Sequence, residues 1–485
     1  MKKLILGLLT AAMFLGSSGL AFAQQDLPQF CSFGYFRAAI SAVDNWEFNE
    51  DNKSDDQMIY QRVRQYFEYS ANENLTAQVA YEIDTGWGWP GESDFGNDEK
   101  GLIEIKRAQL TFNWPNTDVN IMAGLSCYTA PGGMYGTPVL GNDMPGVFIN
   151  TPFNDMASMT LGYIRADDFY RIEDSNYNSR TGGDQLDAVL GSFPLNFEGF
   201  NLTPYGIYAS IGQEVMNKKY FKVFDTWSTN MGTIAGHGLA NDQLDIDPDS
   251  TPSVYDDDVD AYWVGLPFGI TMIDPVTIKG QFLYGNIDAG EEALDREGYY
   301  FDIAADYAMD MFTPSLYFIY SSGEDDDVSD GSETFPSLNS NGFLYPPSAA
   351  SFGFNSHFGF RDGDYSFAQY VPHGLWTLGF ALKNIQFVDK LSHTFAVGYS
   401  QGTNDSDVFE NGAAGLDQND SRFTELTDED SSIEVTFRNN YKIYENLSAM
   451  LELDYASLDM DSGVWGSDYK DDDIIRGTFG LSYNF

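Results

Sequence analysis

The chain has 485 residues, with 73 acidic against 25 basic side chains and a formal charge of −48. That balance argues against a nucleic-acid partner, since phosphate binding needs a basic surface, while 43% apolar and 15% aromatic residues do not suit a disordered acidic chain. The length would fit two or three soluble domains, yet no linker or composition break divides the sequence, so one large closed sheet is expected.

The first residues read as a processing signal. Lys2 and Lys3 precede an apolar run from Leu4 to Gly16, and Ala21-Phe22-Ala23 forms a small-residue cleavage site. Residues 1–23 are thus expected to be a cleaved signal peptide, leaving 24–485 as a single barrel domain. Removal takes two lysines and no acid, which moves the charge from −48 to −50. After this signal no run of about 18 apolar residues remains, so no transmembrane helix is expected. Cys31 and Cys127 are the only cysteines, too few for a disulfide framework, and two free thiols are expected.

Period-two alternation then runs along the chain and marks strands with two chemically different faces. A strand over Tyr60 to Ser70 is followed by Leu75, Ala77, Val79, Tyr81 and Ile83, which alternate with Thr76, Gln78, Ala80, Glu82 and Asp84. Segment 127–145 is rich in Gly and Pro and nearly uncharged, with Asp143 alone. It lies between a fifth strand and a short sixth near 146–152, and it reads as a loop folded into a lumen. Further alternating runs fall near 276–286, 299–307 and 376–382. Ile433, Val435, Phe437 and Tyr441 alternate with polar residues, and Leu447 to Tyr455 repeat the pattern. The final strand carries Phe479, Leu481, Tyr483 and Phe485 on one face, with a terminal Phe like the assembly signal of outer-membrane barrels.

Short turns are expected near 72–74, 114–117, 153–155, 195–198, 271–275, 309–313, 388–391 and 443–446. Longer polar segments alternate with them, at 43–57, 86–100, 213–257, 323–372, 403–430 and 458–472. Short turns on one rim and long loops on the other describe a transmembrane antiparallel up-and-down β-barrel. Counting hairpins gives about 18 strands, with 16 as the alternative, and an inward-folded third extracellular loop.

Charge placement tells the two faces apart. Arg62, Arg64, Glu68, Glu82, Asp84, Arg107, Lys279, Asp302, Asp306 and Arg438 fall opposite the larger apolar residues. A lipid-facing arginine at mid-membrane costs about 2–4 kcal/mol, so these side chains are expected inside, and the inside is expected to be polar and wet. Pore-lining and constriction candidates are Arg62, Arg64, Glu68, Glu82, Arg107, Asp143, Lys279 and Arg438. The arginines favour anions if they cluster at the narrowest point; paired with Glu68, Glu82 or Asp84 they are wall structure. The acidic runs Asp256–Asp258, Glu324–Asp327 and Asp471–Asp473 do not fit a twelve-residue calcium loop, because the position counted twelfth from Asp326 is Ser337. They read as solvated loop tips.

No nucleophile elbow, zinc site or phosphate loop is present, and the four histidines are scattered. No enzyme and no cofactor are expected. The hairpin around Gln61-Arg62-Val63-Arg64, the loop ending Pro138-Val139-Leu140-Gly141-Asn142-Asp143, and Tyr300-Phe301-Asp302 through Met309-Asp310-Met311-Phe312-Thr313-Pro314 resemble the homotrimeric outer-membrane porins of sulfate-reducing bacteria, a Gram-negative general porin type. The resemblance covers essentially the whole mature chain and includes the last strand. It implies a homotrimer in the bacterial outer membrane, in contact with lipid and lipopolysaccharide, with one pore per subunit for small hydrophilic solutes or ions. It also implies constriction by the third outer loop, the position of 127–145. A substrate-specific channel and a structural non-conducting barrel stay open as alternatives.

Overall fold

The computed structural model describes residues 27–45, 56–87, 103–133, 136–168, 185–216, 257–290, 292–327, 330–338, 374–407, 426–465 and 472–485. The signal segment 1–23 and the histidines His237, His357 and His373 lie outside these residues, as do most positions of the long loops.

The alternating runs form one closed antiparallel sheet of 18 strands. In chain order they are β1 (Gln29–Asp44), β2 (Asp56–Asn72), β3 (Leu75–Gly86), β4 (Ile103–Asn113), β5 (Asn120–Thr129) and β6 (Gly141–Pro152). There follow β7 (Ser158–Asp168), β8 (Gln185–Ser192 continued by Leu195–Phe197), β9 (Phe200–Leu202 continued by Tyr205–Ile211) and β10 (Val259–Gly265 continued by Phe268–Ile273). The circuit is completed by β11 (Val276–Asp288), β12 (Arg296–Tyr307), β13 (Thr313–Ser321), β14 (Leu375–Val388), β15 (Leu391–Gly402), β16 (Ser431–Tyr444), β17 (Leu447–Asp459) and β18 (Asp472–Asn484). Three strands are interrupted beside Pro194, Pro204 and Pro267, because proline has no N–H to give to a ladder. Their carbonyls still accept: Phe193 N–H donates to Pro204 at 2.9 Å, and Thr203 N–H to Pro267 at 2.9 Å.

β18 returns to β1 in register from Tyr35 opposite Asn484 to Asp44 opposite Ile475. Phe485 extends the seam, with Gly34 N–H to its carbonyl at 2.8 Å and its own N–H to Gly34 at 3.0 Å. Closure joins the last strand to the first, which is what permits a sheet to span a membrane. Short turns join consecutive strands on one rim at or beside all eight expected places, and those at 73–74, 198–199, 274–275, 389–390 and 445–446 have only two residues; 195–197 and 271–273 of the expected turns are strand. Long connections occupy the other rim. Among the described residues no helix is long and apolar enough to cross a membrane.

The outward face is largely apolar, with Val79, Tyr81, Ile83, Tyr262, Phe282, Tyr299, Leu453 and Phe479 all exposed, and toward the long-loop rim it carries acids such as Asp187, Asp260, Glu297 and Asp473 bonded to tyrosines. The inward face divides in two. From β1 to β4 and from β16 to β18 it carries the charged side chains. From β5 to β13 it is largely apolar, with Phe148, Ile164, Leu190, Tyr205, Ile207, Ala261, Trp263, Leu283 and Tyr300 buried in one cluster. The expectation of a wet interior all round is therefore corrected. Alternation separates the two faces of a strand, but it does not say that the inner one is solvated; here loop segments cover it.

Candidate functional site

Two loop segments enter the barrel. The first spans 130–140 between β5 and β6. Gln281 on β11 donates to the Gly136 carbonyl at 2.8 Å, and the Thr137 and Tyr205 hydroxyls meet at 3.4 Å. A connection that leaves β5 and touches β9 and β11 must run across the lumen, not around its rim. The second segment, 332–338, follows β13. Trp263 Nε1 donates to Pro336 at 2.9 Å and Arg296 Nε to Thr334 at 2.9 Å. Ser337 Oγ donates to the Pro138 carbonyl at 2.6 Å and Leu338 N–H to Val139 at 3.0 Å, so the two segments brace one another. Gly298 permits this approach, since a Cβ there would lie 2.6 Å from Phe335 N and 2.7 Å from the Glu333 carbonyl.

The register shows how the first segment gets inside. β4 pairs with β5 only from Ala108–Leu125 to Asn113–Asn120. β6 pairs with β7 only from Gly146–Ile164 to Pro152–Ser158. Above those levels, Ser126–Thr129 and Gly141–Met144 are paired solely with each other. The upper half of the β5–β6 hairpin has left the wall. Gly124, with φ of +123°, sits at the departure point in a conformation that L side chains rarely adopt. The inserted element is thus longer than a loop, and the expected boundaries move: 127–129 and 141–145 are strand, and β6 begins at Gly141 instead of near 146.

Leaving the wall reverses the meaning of the hairpin's two faces. Its even face, with Tyr128, Met144 and Phe148, packs on the apolar inner wall, and the Tyr128 and Phe148 rings stack at 4.7 Å. Its odd face carries Cys127 opposite Asp143. By parity these would face lipid; instead they face the charged wall of β2, β3 and β4.

That wall holds one continuous ion-pair network. Arg62 Nε donates to Asp84 at 2.9 Å and lies 3.6 Å from Glu82. Arg64 donates to Glu82 at 2.6 Å. Lys106 Nζ stands 3.2 Å from Glu82, 3.1 Å from Glu104 and 3.3 Å from Asp143, and Arg107 also binds Asp143. Five of the eight candidates, Arg62, Arg64, Glu82, Arg107 and Asp143, therefore meet in one place. Lys106 belongs with them although strict alternation would turn it away from Arg107. A register shift between the Ala80 and Tyr81 pairings places two consecutive basic residues on the inner side.

The other three candidates lie apart. Glu68 sits nearer the short-turn rim, where Gln78 donates to it at 3.0 Å. Lys279 shares inward parity with Gln281 and Leu283 and is exposed; among the described residues no ion pair includes it. Arg438 belongs to a second cluster, binding Glu452, while Arg476 reaches Glu452 at 2.7 Å and Asp454 at 2.8 Å. Asp302 is buried beneath the inserted loop, and Asp306 pairs with Lys383 at 2.8 Å. Cys31 and Cys127 are both free thiols, and Cys127 is exposed.

Comparison with solved structures agrees with this architecture. OccAB1 of Acinetobacter baumannii superposes with a TM-score of 0.50 at 10% identity, covering 96% of this chain and 100% of that one. The two chains share a barrel fold. OprD of Pseudomonas aeruginosa gives a TM-score of 0.48 at 12% identity, over 96% of this chain and 99% of that one. The outer membrane channel DcaP of Acinetobacter baumannii gives 0.40 at 11%, over 96% and 100%. No family model and no curated protein matches the chain.

Proposed function

We propose that this protein is an outer-membrane porin through which small hydrophilic solutes and ions pass by diffusion. The observation that carries the reading is the departure of the β5–β6 hairpin from the wall. It covers the apolar half of the lumen and is tied to the charged wall through Asp143, and the solute path runs beside that contact. Solute entering past the acidic long loops meets Asp143 and Cys127 on one side and Arg62, Arg64, Lys106 and Arg107 on the other. It then descends past Glu68 and Lys279 to the short-turn rim. The side chains of Arg64, Lys106 and Asp143 are each about a fifth exposed, consistent with groups that line water.

The ion pairs set the selectivity. Each candidate arginine is matched by a carboxylate, so fixed charges of both signs line the passage and any anion preference is modest. The one-sided lining also favours a second reading, a channel that selects solutes by fit along a single charged wall. A homotrimer of the type found in sulfate-reducing bacteria, residence in the outer membrane against lipopolysaccharide, and export by a cleaved signal complete the proposal on the strength of the sequence resemblance.

The test is single-channel recording in a planar bilayer under a salt gradient. Ohmic steps grouped in threes, with a small reversal potential, are expected. A barrel that folds but does not conduct overturns the channel reading. Saturable block by one solute class would replace general diffusion with the selective alternative.

A further inference from the structure

The cluster on β16, β17 and β18 does not balance. Among the described residues three inward carboxylates, Glu434, Glu452 and Asp454, are buried beside two guanidiniums, those of Arg438 and Arg476. Arg438 is spent on Glu452, and Arg476 is divided between Glu452 and Asp454. Glu434 is left over: it is 4% exposed, and its Oε2 has no hydrogen-bond partner. Asp454 is 3% exposed and likewise has one oxygen, Oδ1, without a partner.

The register brings these two carboxylates together. Asp454 stands opposite Thr436, and Glu434 opposite Ala456, so the two acids are diagonal neighbours on one face of adjacent strands. Diagonal residues of an antiparallel pair are within reach of long side chains. On its other flank Glu434 faces Gly398, with Ala396 and Ser400 on either side of that glycine. Small side chains on both flanks leave room beside the Glu434 carboxylate, and none of them can neutralise it. A buried carboxylate oxygen without a partner is strongly unfavourable, and here there are two, carrying one net negative charge between them. A proton satisfies one oxygen. A monovalent metal ion matches the missing charge and takes both.

We propose that Glu434 and Asp454 hold an alkali-metal cation in the barrel wall, with the Thr436 hydroxyl beside it. The ion completes the charge balance of the Arg438–Glu452–Arg476–Asp454 cluster and pins β16 to β17 near the β18–β1 seam.

The test is thermal unfolding of the purified full-length barrel in detergent, at fixed pH and ionic strength, in sodium, potassium or choline chloride. An alkali salt is expected to raise the midpoint by roughly 2 °C or more over choline, increasing with the logarithm of concentration as ligand binding to the native state requires. Glu434→Gln is expected to remove that dependence. Equal midpoints in alkali and choline salts overturn the proposal. A midpoint that rises only on acidification, and no longer does so in the variant, overturns it in favour of a shared proton. Should the variant not fold, crystals of the native protein soaked in thallium(I) acetate supply the decision: an anomalous peak between Glu434 and Asp454 supports the site, and its absence there overturns it.

Discussion

At the scale of the residue, the passage is decided by a few side chains whose charge is shared. Asp143 neutralises Arg107 and Lys106 from the hairpin side. Asp143→Asn removes one negative charge from the narrow path and leaves two cations on the facing wall less compensated. The reversal potential is then expected to move toward that of the anion, by more at low salt than at high salt, because screening over about 8 Å at physiological ionic strength weakens the field of fixed charges. An unchanged reversal potential would place Asp143 away from the ion path. Cys127 offers a second check, since it stands opposite Asp143 on the same face. With Cys31→Ser as background, a methanethiosulfonate reagent is expected to react at Cys127 and lower the single-channel current. If the label attaches and the current stays level, the hairpin's odd face does not line the path.

At the scale of the element, the question is what holds 332–338 against the wall. Phe335 is fully buried, with its ring 6.0 Å from that of Tyr300. Phe335→Ala is expected to cost docking about 3–5 kcal/mol, the usual range for an aromatic truncated in a packed interior. Since this segment also donates two hydrogen bonds to 130–140, the expected readout is a noisier current from a barrel that still resists heat. The foot of the same segment is pH-sensitive. Glu324, just beyond β13, accepts hydrogen bonds from Ser332 and Thr334, and burial pushes its carboxyl up to about 7. Its ordinary value is 4.5, so the docked loop prefers the protonated acid. Docking is fully supported below about pH 4.5 and loses support as pH rises through 7, by about 3 kcal/mol in all. Proteolysis of the 322–338 region is thus expected to be faster at pH 8 than at pH 5, and Glu324→Gln is expected to flatten that difference. Equal rates in the native protein would dismiss the latch.

At the scale of the whole molecule, the strands were legible because their outer faces obey one rule, apolar toward lipid, from Val79 to Phe479. The eight short turns followed from the same rhythm, and with them the count of 18. What strict alternation missed came from departures from it. The register shift near Ala80 brought Lys106 inward, and the peeling of β5 and β6 above Gly124 made a strand pair, not a loop, the carrier of Asp143 toward Arg107. The apolar inner arc around Trp263 and Leu283 was hidden for another reason: a strand buried on both faces has no polar alternation to announce which side is covered, or by what. Arg476 went unnoticed because its partners Glu452 and Asp454 lie 24 and 22 residues away in no obvious motif, and only pairing of β17 with β18 unites them. A barrel half filled by its own loops makes one global prediction. Replacing 130–140 with a short Gly-Ser turn leaves every wall-to-wall ladder intact, because those residues contribute no rung between wall strands. The closed sheet should therefore assemble and stay heat-resistant. Its conductance is expected to roughly double as the hairpin loses its anchors on Gln281, Tyr205 and Ser337, since an 18-stranded barrel is wide enough for an aqueous channel once its interior is cleared. Conductance equal to that of the native protein would mean that the inserted hairpin does not set the width of the path, and the constriction would have to be sought between the charged wall and the outer loops.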